Sequence, residues 1–473
     1  MLYWIGIPAV FFLVLIVQTL LFRPNGTFTV PAMDVTVDMN RAVDTFREMI
    51  QCPTVSYDDR SLQDEREFEK FRALLDERYP AVAKRCDKHF IAPTGVIYHW
   101  KGNNNQTPWV LMAHYDVVPV EEGMWSQPPF SAAVINGEMW GRGTIDTKST
   151  LLGVMEAAET LIEQGFEPQN DIYLAFGGDE EISGTSAQAM VNWFEGRGIS
   201  PTVIDESGAI VDGVFPGVSK SIAVIGTGEK GITNIGFTIE GKGGHASVPP
   251  RQTPIAVMAK AISAVESKPF KAAIVKPVRD MFDTIGRHAA FGMKLVFANL
   301  WCFRPLIFLL AKKQGGELNA MLRTTCVFTR AEGGTAWNVI PPKVTAGANL
   351  RLLNHTPEQA VRELEKKIGN DQVKVDVISG TEPSPYSRSD GEGWETLRET
   401  ILQTWPEVIV SPYYMMAATD SRHYSRISDR VYRFTPMIMT KEIRSTIHGH
   451  NERIPLESLK IIIAFYLRLI QKI

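Results

Sequence analysis

The sequence predicts an α/β protein with an α+β domain inserted into it. Two observations carry that prediction. First, short apolar runs that close on a histidine or an acid alternate with longer segments of helical spacing. The run 108–113 ends at His114, 172–176 leads to Asp179-Glu180-Glu181, and 201–204 ends at Asp205. Such runs read as buried strands separated by helices, the pattern of a largely parallel sheet. Second, between residues 228 and 382 the order becomes strand, helix, strand, strand, helix, strand. That order is ferredoxin-like.

Taken in order, residues 1–22 hold no charged side chain and include the apolar run 9–17. About 20 apolar residues span a bilayer. The segment lacks a basic n-region and a small-x-small cleavage site, so it reads as an uncleaved membrane anchor, with a cleaved signal peptide as the alternative. An anchor puts the catalytic part outside the cytoplasm, and a signal peptide makes the protein secreted. Residues 23–37 read as a linker. Residues 38–50 and 61–78 have helical spacing, and the second is charged enough to read as a solvated surface helix. The strand 108–113 is followed by a loop, 125–143, rich in Pro, Gly and Trp. A helix over 148–164, the strand at 172, a helix through Phe194 and the strand 201–204 complete this half. The first domain covers 38–227 and 383–473 and ends in an amphipathic helix from about Pro455. In the inserted domain, 228–382, strands fall at 232–240, 324–330 and 344–352, and helices at 254–266 and 357–368. An apolar helical insert, 268–320, is interrupted by Lys294, Arg304 and Pro305, which argues against a second membrane span.

Composition excludes several functions. The 473 residues are 44% hydrophobic and 22% charged, ordinary globular material. A net charge of -4 with no long basic run excludes nucleic acid as a partner. Cys52, Cys86, Cys302 and Cys326 form no C-x-x-C pair, which argues against a zinc ribbon or a disulfide framework.

The chemistry is concentrated at the strand ends. Three adjacent acids after a buried run cannot all be buried unpaired, because like charges repel and desolvation costs several kcal/mol each. A bound cation removes the difficulty. His114, Asp146, Glu181, Asp205 and His448 all follow strand-like runs, and in open α/β sheets sites form beyond the carboxyl ends of strands. Histidine with carboxylate suits zinc, and five ligands with one bridging suffice for two ions. Asp116 is placed to orient His114, and Glu180 to act as general base.

These segments resemble a known family. His114-Tyr-Asp116, Gly141-Arg-Gly-Thr-Ile-Asp146-Thr-Lys148, Gly178-Asp-Glu-Glu181, Ile204-Asp-Glu-Ser-Gly208, Gly243-Gly-His245-Ala-Ser247, Asn338-Val-Ile-Pro341 and His448-Gly-His-Asn-Glu452 are similar to motifs of the dizinc metallopeptidases. That superfamily includes aminoacylase, carboxypeptidase S and succinyl-diaminopimelate desuccinylase. The long insert makes the carboxypeptidase S and N-fatty-acyl-amino-acid synthase/hydrolase branch the best match. The resemblance implies a zinc-peptidase-like catalytic domain with a lid or dimerisation domain, and two Zn2+ per subunit. His114 and Asp205 would hold one ion, Glu181 and His448 the other, and Asp146 would bridge them through a residue in cis linkage to Thr147. The motifs favour Asp205 over its neighbour Glu206, and His448 over His450. Glu180 would be the base and Asp116 the support. His245 would steady the oxyanion, often across a homodimer. Asn338 and Arg351 match positions that hold the substrate carboxylate, and Arg422 is a third candidate. The implied reaction is hydrolysis of N-acyl amino acids, with a long fatty acyl group if the insert lines an acyl pocket, and with synthesis as its reverse. The alternative is a carboxypeptidase or dipeptidase. For the insert, core packing or contact with a membrane are the alternatives to an acyl pocket.

Overall fold

The computed structural model describes the backbone of residues 2–24, 26, 30–104 and 106–473, with side chains from residue 9 onward. Parts of the expected anchor and linker (1, 25 and 27–29) therefore lie outside the described residues.

A nine-stranded mixed sheet forms the centre. Its order is Asp87–Ile91, Gly95–Trp100, Ile172–Gly177, Trp109–His114, Thr202–Asp205, Val431–Arg433, Ile222–Glu229 and Ile409–Met415, with Ala209–Val211 paired to Ile222–Glu229. Trp109–His114 runs parallel to both Ile172–Gly177 and Thr202–Asp205, with His114 opposite Gly177 and Leu111 opposite Ile204. Three carboxyl ends therefore leave the sheet on one edge, and the residues after them converge. These strands are buried on both faces, which explains why they read as continuous apolar runs.

The helix Lys148–Glu163 packs on this sheet and against the last helix, Leu456–Ile470. That last helix is buried round most of its surface, so it is more enclosed than its expected amphipathic character implied. Gly153 is where the two helices approach. A Cβ there would overlap the Ile462 side chain and lie 3.1 Å from the Tyr466 ring. Gly153→Ala is expected to destabilise the protein by about 1–3 kcal/mol, as overpacking does. A thermal melt checks this, and an unchanged Tm would mean the helices can move apart freely.

The helix expected over 61–78 begins later, as Glu65–Arg78 capped by Asp64, and it is not simply a solvated helix. Phe68, Phe71 and Leu75 are buried in the main core. The charged majority of its residues hid that stripe. The hairpin Asp87–Trp100 was not anticipated at all.

The second sheet is antiparallel, in the order Thr325–Gly333, Lys343–Leu352, Gly231–Glu240, Lys374–Gly380. Helices Pro254–Ser267 and Pro357–Ile368 cover it around a separate apolar core. Strand Gly231–Glu240 alternates buried with less buried residues, as expected of a sheet with one covered face. The order matches the ferredoxin-like expectation.

The insert does not join that core. Its helix Lys276–Gly286 packs on Ile409–Met415 at the edge of the central sheet, with Val278, Met281, Phe282 and Ile285 buried beside Ile222 and Tyr414. This part of the insert is core packing. Of the following helices, Phe291–Ala298 is half-buried, with Met293, Val296 and Phe297 against this core, and Leu300–Gln314 buries Ile307 and Ala311 and leaves most other residues exposed. At the N-terminus a helix runs Leu2–Leu21. Among the described residues no single helix is long and apolar enough to cross a membrane. Phe291–Ala298 with Leu300–Gln314 together are, but with a 110° bend between them.

Candidate metal centre

Two groups of possible ligands share one residue. His114 Nε2 lies 2.9 Å from Asp146 Oδ1 and 3.3 Å from Glu206 Oε1. His448 Nε2 lies 3.0 Å from Asp146 Oδ2 and 3.0 Å from Glu181 Oε2. Each trio lies close enough to hold one ion, and Asp146 offers one oxygen to each. The peptide bond Asp146-Thr147 is cis, as the motif implied.

The arrangement follows from the strand ends. His114 is the last residue of its strand and is buried. Its Nδ1–H donates to the Asp116 carbonyl at 3.0 Å. A carbonyl can only accept, so this bond leaves Nε2 free to ligate. The Asp116 carboxylate serves mainly the neighbouring turn. Its Oδ1 accepts from the Glu180 amide and its Oδ2 from the Glu181 amide, both at 3.1 Å, with Ser56 Oγ donating at 2.8 Å. Asp116 therefore holds His114 through its backbone and the 180–181 turn through its side chain. Asp179 turns away from the centre. Its carboxylate accepts from Arg60 at 3.0 Å and from the Thr185 amide at 3.1 Å, at the start of helix Ser186–Glu195.

Glu206, and not Asp205, faces His114. Asp205 still belongs to its strand, and its Oδ2 accepts the Ser421 amide at 3.0 Å. Successive residues of an extended chain point to opposite sides, so the next side chain turns to His114. The ligand trio therefore contains Glu206 at the place where Asp205 was expected.

Sequence reading also missed the clamp on Asp146. Glu452 is fully buried. Its carboxylate accepts from the Ile145 amide at 2.7 Å, the Gly143 amide at 3.0 Å, the Asp146 amide at 3.3 Å and Arg142 Nη1 at 2.7 Å. Strand Arg453–Pro455 pairs with Glu138–Trp140, and this brings 448–452 onto the Asp146 loop. His448 has φ +57° and Asn451 +61°, uncommon for residues with side chains and frequent at functional sites. The glutamate of His448-Gly-His-Asn-Glu452 was the available signal, but it served only to choose between two histidines.

The electrostatics fit a cation. Burial, and then Asp146, raises the Glu206 carboxyl to about 8 and raises that of Glu181. Burial pushes Glu180 well above its ordinary value. Burial also raises Asp420, with Asp205 and Asp179 adding to the rise. His448 is raised to about 10 by its bonds to Asp146 and Glu181. For His114 burial disfavours charge, yet Glu206, Asp116 and Asp146 outweigh it and raise it. Glu181 Oε1 is buried with no hydrogen-bond partner. An acceptor-only oxygen orphaned among crowded acids, with the His448 imidazole on the other oxygen of the same carboxylate, is a donor set that a divalent ion satisfies.

The other expected residues form two groups. His245 and Asn338 share an exposed ribbon, with His245 opposite Val339 and the Ala246 amide donating to the Asn338 carbonyl at 3.0 Å. His245 Nδ1 contacts Ser247 Oγ at 2.7 Å, away from both ligand trios. Arg351 is lowered by burial and by Arg422, so the two guanidiniums are neighbours. Lys230, unforeseen from sequence, is lowered to about 7 by burial and Arg351. Its Nζ donates to the Ala320 and Arg323 carbonyls. Among the described residues, none of these three cations has an acid within ion-pair distance. Arg422 directly follows Ser421, whose amide meets Asp205, so the cationic cluster adjoins the acidic one along the chain.

Two possible ligand trios sharing an aspartate at the carboxyl edge of a mixed sheet, in a chain that matches a peptidase family model, make this a metallohydrolase of amide or peptide bonds. The chain belongs to peptidase family M20/M25/M40, which it matches over residues 110–472. It is 36% identical over 417 residues to a probable carboxypeptidase S-like 2 of Dictyostelium discoideum, covering 86% of this chain and 80% of that one. It is 33% identical over 445 residues to the N-fatty-acyl-amino acid synthase/hydrolase PM20D1 of Xenopus tropicalis, covering 92% and 86%. The fold matches that of an M20 family metallo-carboxypeptidase from Sulfolobus solfataricus with a TM-score of 0.66, at 17% identity, over 91% of this chain and 98% of that one.

Proposed function

We propose that the protein hydrolyses N-acyl amino acids bearing a long acyl chain, and that the same site can run the reverse condensation. The observation that carries this reading is the pair of guanidiniums Arg351 and Arg422, neither with an acid partner among the described residues, with Arg422 directly after the Ser421 that meets Asp205. A free α-carboxylate on the substrate would complete it, with the amide nitrogen on the adjacent α-carbon turned toward the centre. The Xenopus relative, named for this chemistry, supports the acyl side.

His114, Asp146 and Glu206 would hold one ion, and Asp146, Glu181 and His448 the other. Their nitrogen and oxygen donors suit Zn2+. Bound ions of this kind acidify water and polarise an amide carbonyl. Glu180 takes the proton of the attacking water and returns it to the amine nitrogen as the C–N bond breaks, leaving a carboxylate and a free amino acid. Arg351 and Arg422 hold the α-carboxylate, with Asn338 from the ribbon as a further contact. His245 steadies the oxyanion, and its exposed placement suits a role in the centre of a second copy, in a homodimer. We assign catalysis to 38–227 with 383–473, and 228–382 to the second domain, whose sheet has a core of its own while its helix Lys276–Gly286 packs on the edge of the central sheet. The apolar N-terminal helix would keep the protein at a membrane with its catalytic part outside the cytoplasm, or direct its secretion.

The second reading is a carboxypeptidase or dipeptidase. The Dictyostelium relative favours it at similar identity. Hydrolysis of N-oleoyl-phenylalanine, N-acetyl-phenylalanine and glycyl-leucine separates the two. Each buried methylene is worth about 0.8 kcal/mol, so a fitted acyl site is expected to favour oleoyl over acetyl by at least ~10-fold in kcat/KM. Equal rates, or preference for the dipeptide, would sink the fatty-acyl reading and leave the peptidase one.

A further inference from the structure

The helix Leu2–Leu21 and the bent pair Phe291–Ala298 and Leu300–Gln314 form one surface. The N-terminal helix does not hang free. It buries Leu15 and Thr19 against the insert. Asn299, fully buried at the bend, donates through Nδ2 to the Leu15 carbonyl and to Thr19 Oγ1, both at 3.2 Å. Trp301 Nε1 donates to Gln18 Oε1 at 3.0 Å, and its ring meets Phe11 edge-on at 5.9 Å. Arg287 Nη1 donates to the Arg23 carbonyl at 3.0 Å and stacks over Phe22. The apolar residues on the other sides remain open to solvent. Phe12 is 62% exposed, Leu13 61%, Trp301 60% and Leu309 63%. Isolated exposed apolar residues are ordinary, but a contiguous face of them marks an interaction site.

Charge identifies the occupant. Residues 291–314 contain Lys294, Arg304, Lys312 and Lys313 and no acid, and the first acid from the N-terminus is Asp34. None of those four cations has an acid partner among the described residues. An apolar face with an exposed tryptophan, rimmed by unpaired lysines and arginines, is the chemistry of a surface that lies on anionic lipid. A protein partner of matching shape would need no such one-signed rim. We infer that the N-terminal helix and the 291–314 helices together form one docking face for an anionic phospholipid bilayer. The N-terminal helix is then one part of a composite surface, not an independent anchor. The inference does not depend on the acyl-amino-acid reading, because lipid binding needs no turnover.

The test is flotation of the full chain with phosphatidylcholine vesicles, with and without phosphatidylserine. It compares the native protein with L309D/L310D and with K312E/K313E. Both variants leave Leu2–Leu21 untouched and change only exposed residues. Hydrolysis of a short N-acyl amino acid, or the thermal melt if that substrate fails, confirms that they fold. The native chain is expected to float, more so with phosphatidylserine. L309D/L310D should lose at least ~10-fold of its bound fraction, and K312E/K313E should lose the phosphatidylserine increment. Flotation of a folded L309D/L310D equal to native would overturn the inference, since the N-terminal helix alone would then suffice. So would a native protein that stays with the soluble fraction. A third contrary result is a lipid-free native dimer that L309D/L310D turns into a monomer, since the face would then join two copies of the chain.

Discussion

Glu180→Ala is expected to lower turnover by roughly 10²–10⁴-fold, the range that a positioned acid–base group supplies, while the protein still binds two metal ions. The geometry motivates both halves. Glu180 is absent from both ligand trios, although its neighbour Glu181 belongs to one. Its amide is tied to Asp116 Oδ1, so the backbone turn survives loss of the side chain. Its half-buried side chain is crowded by Asp420, Glu206 and Glu181, with His114 opposing them, which favours a group that accepts and releases a proton. Elemental analysis beside the assay separates the outcomes. Loss of turnover together with loss of one metal would make Glu180 a ligand. Retention of activity would move the base elsewhere, with Asp420 the next buried acid nearby. Glu180→Gln should behave like alanine, because an amide of the same shape cannot carry the proton.

Much of this centre was legible in the sequence because of where the strands end. A buried apolar run that stops at a histidine or acid has few ways to satisfy that group, and parallel pairing stacks several such ends on one edge. His114 and Glu181 follow strands as that reasoning expects, whereas Asp146 lies in the turns after strand Glu138–Trp140 and His448 follows helix Lys441–Thr446; the structure nevertheless brings all four together. What escaped depended on long-range pairing or on the pleat. Glu452 clamps a loop 306 to 310 positions earlier in the chain, and nothing local announces it. Lys230 sits at a strand junction and gains its meaning only from Arg351, which a different strand supplies. The insert read as a single apolar feature. In the structure its helix Lys276–Gly286 is core, while its 291–314 helices put one side on that core and leave the other exposed, a distinction set by the neighbouring sheet edge.

The sharpest remaining disagreement lies between Asp205 and Glu206, and one pair of variants resolves it. Changes in partners that merely orient a ligand typically cost 10–100-fold in metal affinity, and loss of a direct ligand should exceed that. Glu206→Ala is expected to leave about one ion per chain and to abolish turnover, because only the trio built on His448 keeps all its donors. Asp205→Asn is expected to keep both ions. An asparagine oxygen still accepts the Ser421 amide, so the loop bearing Asp420 and Arg422 stays in place. The Asn variant should instead show only a lower melting temperature, since its new amide protons need partners in a buried site. Metal content by elemental analysis reads the difference directly. If Asp205→Asn loses an ion while Glu206→Ala keeps both, the strand end must rearrange when metal binds. In that case Asp205 would exchange the Ser421 amide for the ion, and the order suggested by the motif would hold over the one this geometry gives.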